Sequence, residues 1–144
     1  VVKDDQITIN DIRFRIYEMK NGKIQSFTDL DVWRAGHEMV IMTYKITKGF
    51  PREELYSLVD QMRRAASSVT ANIAEGFGRQ TFREKVQYYY QAQGSLTELK
   101  NFILIAKDVG YSTENEFKML LEQANHTHQI LQGLIRKTKT FVNR

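Results

Sequence analysis

Cysteine is absent from the 144-residue sequence, so disulfides, thiolate nucleophiles and thiolate metal sites are excluded. Long apolar runs are missing too, since no stretch approaches the roughly 20 residues that cross a bilayer. No secretory signal pattern opens the chain, and the location expected from sequence is the cytoplasm. Charge of one sign is only slightly in excess: 21 basic and 17 acidic side chains leave a net +4. That balance favours anionic partners weakly, because phosphate binding needs several cations converging in space. The rest of the composition, 42% hydrophobic and 26% charged, is that of one globular domain with its own core.

Catalytic chemistry is equally scarce. The sequence holds no P-loop, no G-x-S-x-G and no H-E-x-x-H. No arginine precedes a histidine by the four to six residues that helical RNases of the arginine–histidine type require. The histidines are His37, His126 and His128. His37 and His128 fall near core stripes and read as structural. His126 points elsewhere, because i and i+2 do not share a helix face. No carboxylate stands in the Glu-x-x-His relation of di-iron bundles, so neither metal nor other cofactor is expected. The chain does not read as an enzyme.

Periodicity predicts an all-α fold. Residues 1–27 are set apart as an extension: Ile7 and Ile9, then Ile12, Phe14 and Ile16, alternate with polar residues, and Asn21-Gly22 is a turn signal. A small hairpin or a loosely held arm both suit this pattern, and Met19 is a candidate internal start. The first helix is predicted from Thr28, with Asp31 completing a partial capping box. Its inward stripe is read as Trp33, His37, Val40 and Tyr44, and Lys48-Gly49 ends it. Pro51, Glu53 and Glu54 signal the start of a second helix over about 52–75. Its apolar face is Leu55, Leu58, Val59, Met62, Ala66, Val69 and Ile73, and Gly76 and Gly78 are read as its stop.

Thr81 and Glu84 form a capping box for a third helix that runs to about Asp108 and is released by Gly110. This helix carries two stripes. Phe82, Val86, Tyr89, Leu96 and Ile103 form one; Tyr88, Ala92, Leu99, Phe102 and Ala106 form another, displaced by roughly 100°. If one core needs one stripe, the second predicts a subunit interface built on Tyr88, Leu99 and Phe102. Thr113 and Glu116 cap a fourth helix lined by Phe117, Leu120, Leu121, Ala124, Leu131 and Ile135. It is expected to fade near Arg136. The expected organisation is an extension over 1–27, an antiparallel up-down-up-down four-helix bundle over 28–138, and a basic tail over 139–144.

The polar constellation richest in charge surrounds the end of the second helix. Arg64, Asn72 and Glu75, with Glu98 on the third helix, read as a structural network that fixes register. Arg79, Arg83 and Lys85 read as nucleic-acid contacts, aided by Arg63, Lys137 and Lys139. Tyr88-Tyr89-Tyr90 point three ways from a helix, so one is expected in the core and another at an interface.

Several separated segments carry a resemblance. They are Phe27-Thr-Asp-Leu-Asp-Val-Trp33, Phe50-Pro51, the run from Gln61 through Arg64 to Gly76, and Gly94-Ser95-Leu-Thr-Glu98-Leu99. In this order they resemble the bacterial four-helix bundle family encoded in intervening sequences of 23S rRNA genes, the S23 ribosomal protein family. The resemblance covers about residues 27–136. It implies an antiparallel bundle, a homo-oligomer with a ring-shaped pentamer as the model, and no catalytic activity. It also implies possible binding of RNA or DNA, since a relative in diversity-generating retroelements is a basic nucleic-acid-binding partner of a reverse transcriptase. The alternative is a protein-interaction or scaffold module that binds no nucleic acid.

Overall fold

The computed structural model describes residues 24–143. The strand-like segments before Ile24, and Met19 with them, lie outside the described residues. Four helices make the domain: α1 (Asp31–Thr47), α2 (Leu58–Gly78), α3 (Phe82–Asp108) and α4 (Glu114–Lys139). Short 3-10 turns at Phe27–Asp29 and Arg52–Glu54 precede α1 and α2. Consecutive helices pack together and α4 closes the ring against α1, giving the antiparallel bundle.

The ends of the helices follow local chemistry. Thr81 and Glu84 cap α3 reciprocally, and Thr113 and Glu116 do the same for α4. Gly110 takes φ +83°, the left-handed conformation that glycine adopts without strain, and ends the α3 connection. The box before α1 differs from the expected one. Ser26 caps, and Asp29 accepts from the Gln25 and Ser26 amides at 2.9 and 3.0 Å. Those amides hold the Asp29 carboxyl below its ordinary range.

The start of α2 is also corrected. Pro51 opens the 3-10 turn, and Leu55 stays exposed, so the helix proper begins at Leu58. Gly76 does not stop it, whereas Gly78 is its last residue. The helix runs through Gly78, and Gly76 is buried where a Cβ would stand 2.8 Å from the Tyr89 ring. The glycine permits close approach of α2 to α3.

The core places Met39, Met62, Val69, Ile73, Leu96, Leu99, Ile103, Leu120 and Leu131 at its centre. On α1 the inward stripe is Val32, Ala35, Met39 and Thr43, one residue out of step with the expected set. Trp33 and Val40 flank the core, and Tyr44 is exposed. Large aromatic groups drew the expected stripe toward the flank, while α1 turns its smaller residues inward. Gly36 fits this closeness, with a Cβ position only 3.1 Å from the Thr70 methyl. Buried Thr43, Thr47, Thr127 and Thr138 satisfy their hydroxyls on carbonyls of their own helix four residues back.

Both α3 stripes turn inward, apart from the exposed Phe82 at the start of the first. Leu99 is 0% exposed, and Ala92 and Ala106 are buried with it. A helix in a four-helix ring touches two neighbours, so α3 needs one apolar seam for α2 and another for α4. That requirement removes Leu99 from the set of surface contacts. Tyr88 and Phe102 are half-buried, and Phe102 packs against the same core.

Candidate functional site

The antiparallel arrangement sorts charged side chains between two ends. The near end gathers the start of α1, the end of α2, the start of α3 and the end of α4. The far end gathers the α1–α2 and α3–α4 connections. Arg79, Arg83, Lys85, Lys137 and Lys139 come together at the near end, whereas Arg63 does not join them. Its guanidinium donates to Thr47 Oγ1 at 3.0 Å and lies 4.6 Å from the Tyr44 ring centroid, at the far end of α1.

Near-end cations divide by what they already hold. Arg79 donates to Glu75 Oε1 at 2.6 Å and to the Tyr88 hydroxyl at 2.5 Å, with its guanidinium over the Tyr88 ring. Lys85 donates to the Phe77 and Gly76 carbonyls at 2.5 and 3.4 Å, capping the end of α2. Burial pushes the Lys85 ammonium below its ordinary pKa. Arg83, by contrast, is exposed and makes no polar contact among the described residues. It shares an open groove of about 250 Å³ with Val86, Gln87, Lys139, Val142 and Asn143. Lys139 reaches the Tyr90 hydroxyl at 3.2 Å from the opposite wall. Phe82 and Phe141, 5.1 Å apart between centroids, hold the C-terminal turn against α3 beside the groove.

Only the first residue of the expected basic tail, Lys139, is helical, and residues 140–143 form the turn that follows. α4 continues to Lys139, so Lys137 and Lys139 project from its last turn, where cations suit the negative helix end. Arg136 and Lys137 are exposed there. The helix continues because Thr138 packs inward and its hydroxyl bonds to Leu134 O.

Arg64, Asn72, Glu75 and Glu98 do not form one network. Arg64 pairs with Asp60 at 3.5 Å across one helical turn. Asn72 donates to Ser68, whose hydroxyl meets Ser95 at 2.9 Å across the α2–α3 seam. Glu75 holds Arg79. Glu98 and Arg64 line a second groove, of about 430 Å³, together with Asp60, Gln61, Ala65 and Ser68. Arg64 and Glu75 stand eleven residues, about three helical turns, apart, so each pairs within its own turn.

The ion pairs Arg34–Asp29, Arg64–Asp60 and Arg79–Glu75 are local in the chain, while cation–aromatic contacts join the helices. Lys107 lies 4.2 Å from the Phe117 centroid, and Lys100 meets His128 Nδ1 at 2.6 Å, both between α3 and α4. A charged lysine only donates, so His128 accepts at Nδ1, leaving the buried Nε2 without a partner. Burial, then the Lys100 charge, lowers the His128 pKa; burial also lowers that of Lys100. His37 stacks on Trp33 at 4.6 Å, and burial lowers its pKa against the pull of Glu38. His128 stands near the core as its place on the helix predicts, whereas its partner Lys100 gives no signal in the sequence, because its long stem reaches the seam from a polar position. Among the described residues, no cluster of three or more His, Cys, Asp or Glu side chains could hold a metal. None of their helices is long and apolar enough to cross a membrane.

A family model for the 23S rRNA-intervening sequence protein matches residues 28–133. The chain belongs to that family. Its fold is also similar to the crystal structure of a protein with unknown function from the S23 ribosomal protein family of Bacteroides thetaiotaomicron. That similarity has a TM-score of 0.68 at 17% identity and covers 73% of this chain and 95% of the other. No curated protein matches the sequence. The family match indicates no catalytic class, and the structural relative shares the fold at an identity too low to carry function.

Proposed function

We propose that this family member is a non-enzymatic, self-associating bundle that binds structured RNA or DNA through its near end, acting in the cytoplasm. One observation carries the reading: Arg83 and Lys139 flank a single open groove that, among the described residues, no carboxylate lines. Lys137 extends the same basic end along α4. Phosphate contacts from such residues position a backbone without reading its sequence. Arg79 and Lys85 support the surface from behind, since their intrachain bonds leave fewer donors for a ligand. Assembly into a ring, the state suggested by family resemblance, would repeat the groove once per copy and multiply a modest charge.

Fluorescence anisotropy with a labelled rRNA stem-loop at several salt concentrations tests this. Affinity should fall as salt rises, and Arg83→Ala with Lys139→Ala should weaken it about tenfold or more. Binding that is independent of salt, or unchanged in the double variant, sinks the assignment. Light scattering on the same samples reports assembly, and a strict monomer at micromolar concentration removes that part.

A second reading, a protein-interaction module, has its own observation. Leu104, Ile105 and Val109 are exposed toward the far end of α3. This reading predicts no measurable nucleic-acid affinity, together with loss of self-association in Ile105→Glu.

A further inference from the structure

The near-end groove holds more than a phosphate needs. Arg83 and Lys139 provide charge, but Val86 and Val142 line the same space with apolar surface, and Gln87 and Asn143 add amides. Rigid duplex phosphates pass over a protein surface and gain nothing from an apolar floor. A nucleobase does, because its faces are apolar and its edge carries donors and acceptors that amide side chains match.

Size agrees with that occupant. At about 250 Å³ the groove falls below the roughly 300–1,000 Å³ of drug-sized pockets, which suits one base and not a paired stack. Its surroundings are aromatic on both sides. Phe82 is 44% exposed beside the Phe141 ring, and Tyr90 is 41% exposed with its hydroxyl on Lys139. Neighbouring unpaired bases stack on exposed rings of this kind without regard to sequence.

Helix geometry explains why these groups converge. Arg83, Gln87 and Tyr90 stand at i, i+4 and i+7 on the outward face of α3. The turn after α4 brings Val142 and Asn143 against that face, held by Phe141 on Phe82.

We infer that the groove between the start of α3 and the end of α4 receives an unpaired nucleotide, its base against Val86 and Val142 and its flanking phosphates on Arg83 and Lys139. This rests on the nucleic-acid reading above and sharpens it from backbone binding to recognition of a loop, bulge or single-stranded segment.

The test compares three labelled RNAs of equal length and charge with the full chain: a stem-loop, a blunt duplex and an unstructured strand. The loop and the strand should bind at least tenfold more tightly than the duplex. Val142→Glu should erase that preference. Gln87→Ala should reduce it several-fold, and circular dichroism should show both variants folded. Because Gln87 is exposed on a helix, its variant keeps the test open should Val142→Glu unfold the C-terminal turn. Equal affinity for all three RNAs, still weakened by Arg83→Ala with Lys139→Ala, overturns this inference and leaves the broader proposal standing. No binding to any of the three overturns both.

Discussion

The two ends of the bundle are built from similar residue types and use them differently. At the far end, Arg63 is anchored on Thr47 and Tyr44, and Lys107 covers Phe117. Glu54 accepts from Ser57, the Leu58 amide and Tyr111, which holds its carboxyl below the ordinary range. Charge there closes loops onto helices. At the near end the same work is done by Arg79 and Lys85, while Arg83, Arg136 and Lys137 are left exposed. A formal charge therefore says little about binding until its intrachain partners are known.

Substitutions can break this comparison, and the largest effect is expected in the seam that joins both ends. Leu99→Ala removes a side chain buried on all sides and should cost about 2–5 kcal/mol in chemical denaturation. If Leu99 served an interface between copies instead, the loss would depend on protein concentration. Gly76→Ala should come next. Its methyl would meet the buried Tyr89 ring at 2.8 Å, an overpacking cost of about 1–3 kcal/mol, offset in part by the better helix propensity of alanine. An unchanged melting temperature would show that Tyr89 moves freely.

Anchored and exposed cations should then separate. Lys85→Met removes the donor to Phe77 O and should destabilise the fold by about 1 kcal/mol. Arg83→Ala should stay within about 0.5 kcal/mol of the parent while losing nucleic-acid affinity. The reverse pattern in thermal melts would overturn the division.

Acid gives the smallest and most local contrast. His37 and His128 both have pKa values lowered from the usual 6.5, so the unfolded chain binds protons that the folded chain resists. Stability should be constant above that value and fall as pH drops through it toward the lower folded values. His128→Gln should remove its share of the slope and leave that of His37. A melting temperature that rises on acidification would contradict the sign.

Much of the fold was legible in the sequence because caps and periodicity are local. Thr81 with Glu84 and Thr113 with Glu116 need only four adjacent residues, and both boxes form as read. The Leu99 stripe was misread because its meaning depends on how many neighbours α3 has, which no window along one helix contains. Gly76 looked like a stop for the same reason: its role comes from Tyr89, thirteen positions away in the chain. The cations at the α2–α3 turn were visible as a cluster. Which of them already hold a carbonyl or a ring was not, because Lys85 reaches back to Phe77 and Arg79 lies over Tyr88.

The central claim is that exposed near-end cations, and not anchored ones, meet phosphate. The direct measurement is the slope of log affinity against log salt for one RNA stem-loop, taken for the parent and two double variants. Arg83→Ala with Lys139→Ala should flatten the slope by about 1.4–1.8, two lost phosphate contacts. Arg79→Ala with Lys85→Ala, measured where the variant remains folded, should leave it nearly unchanged. A slope that flattens only in the second variant would contradict the account.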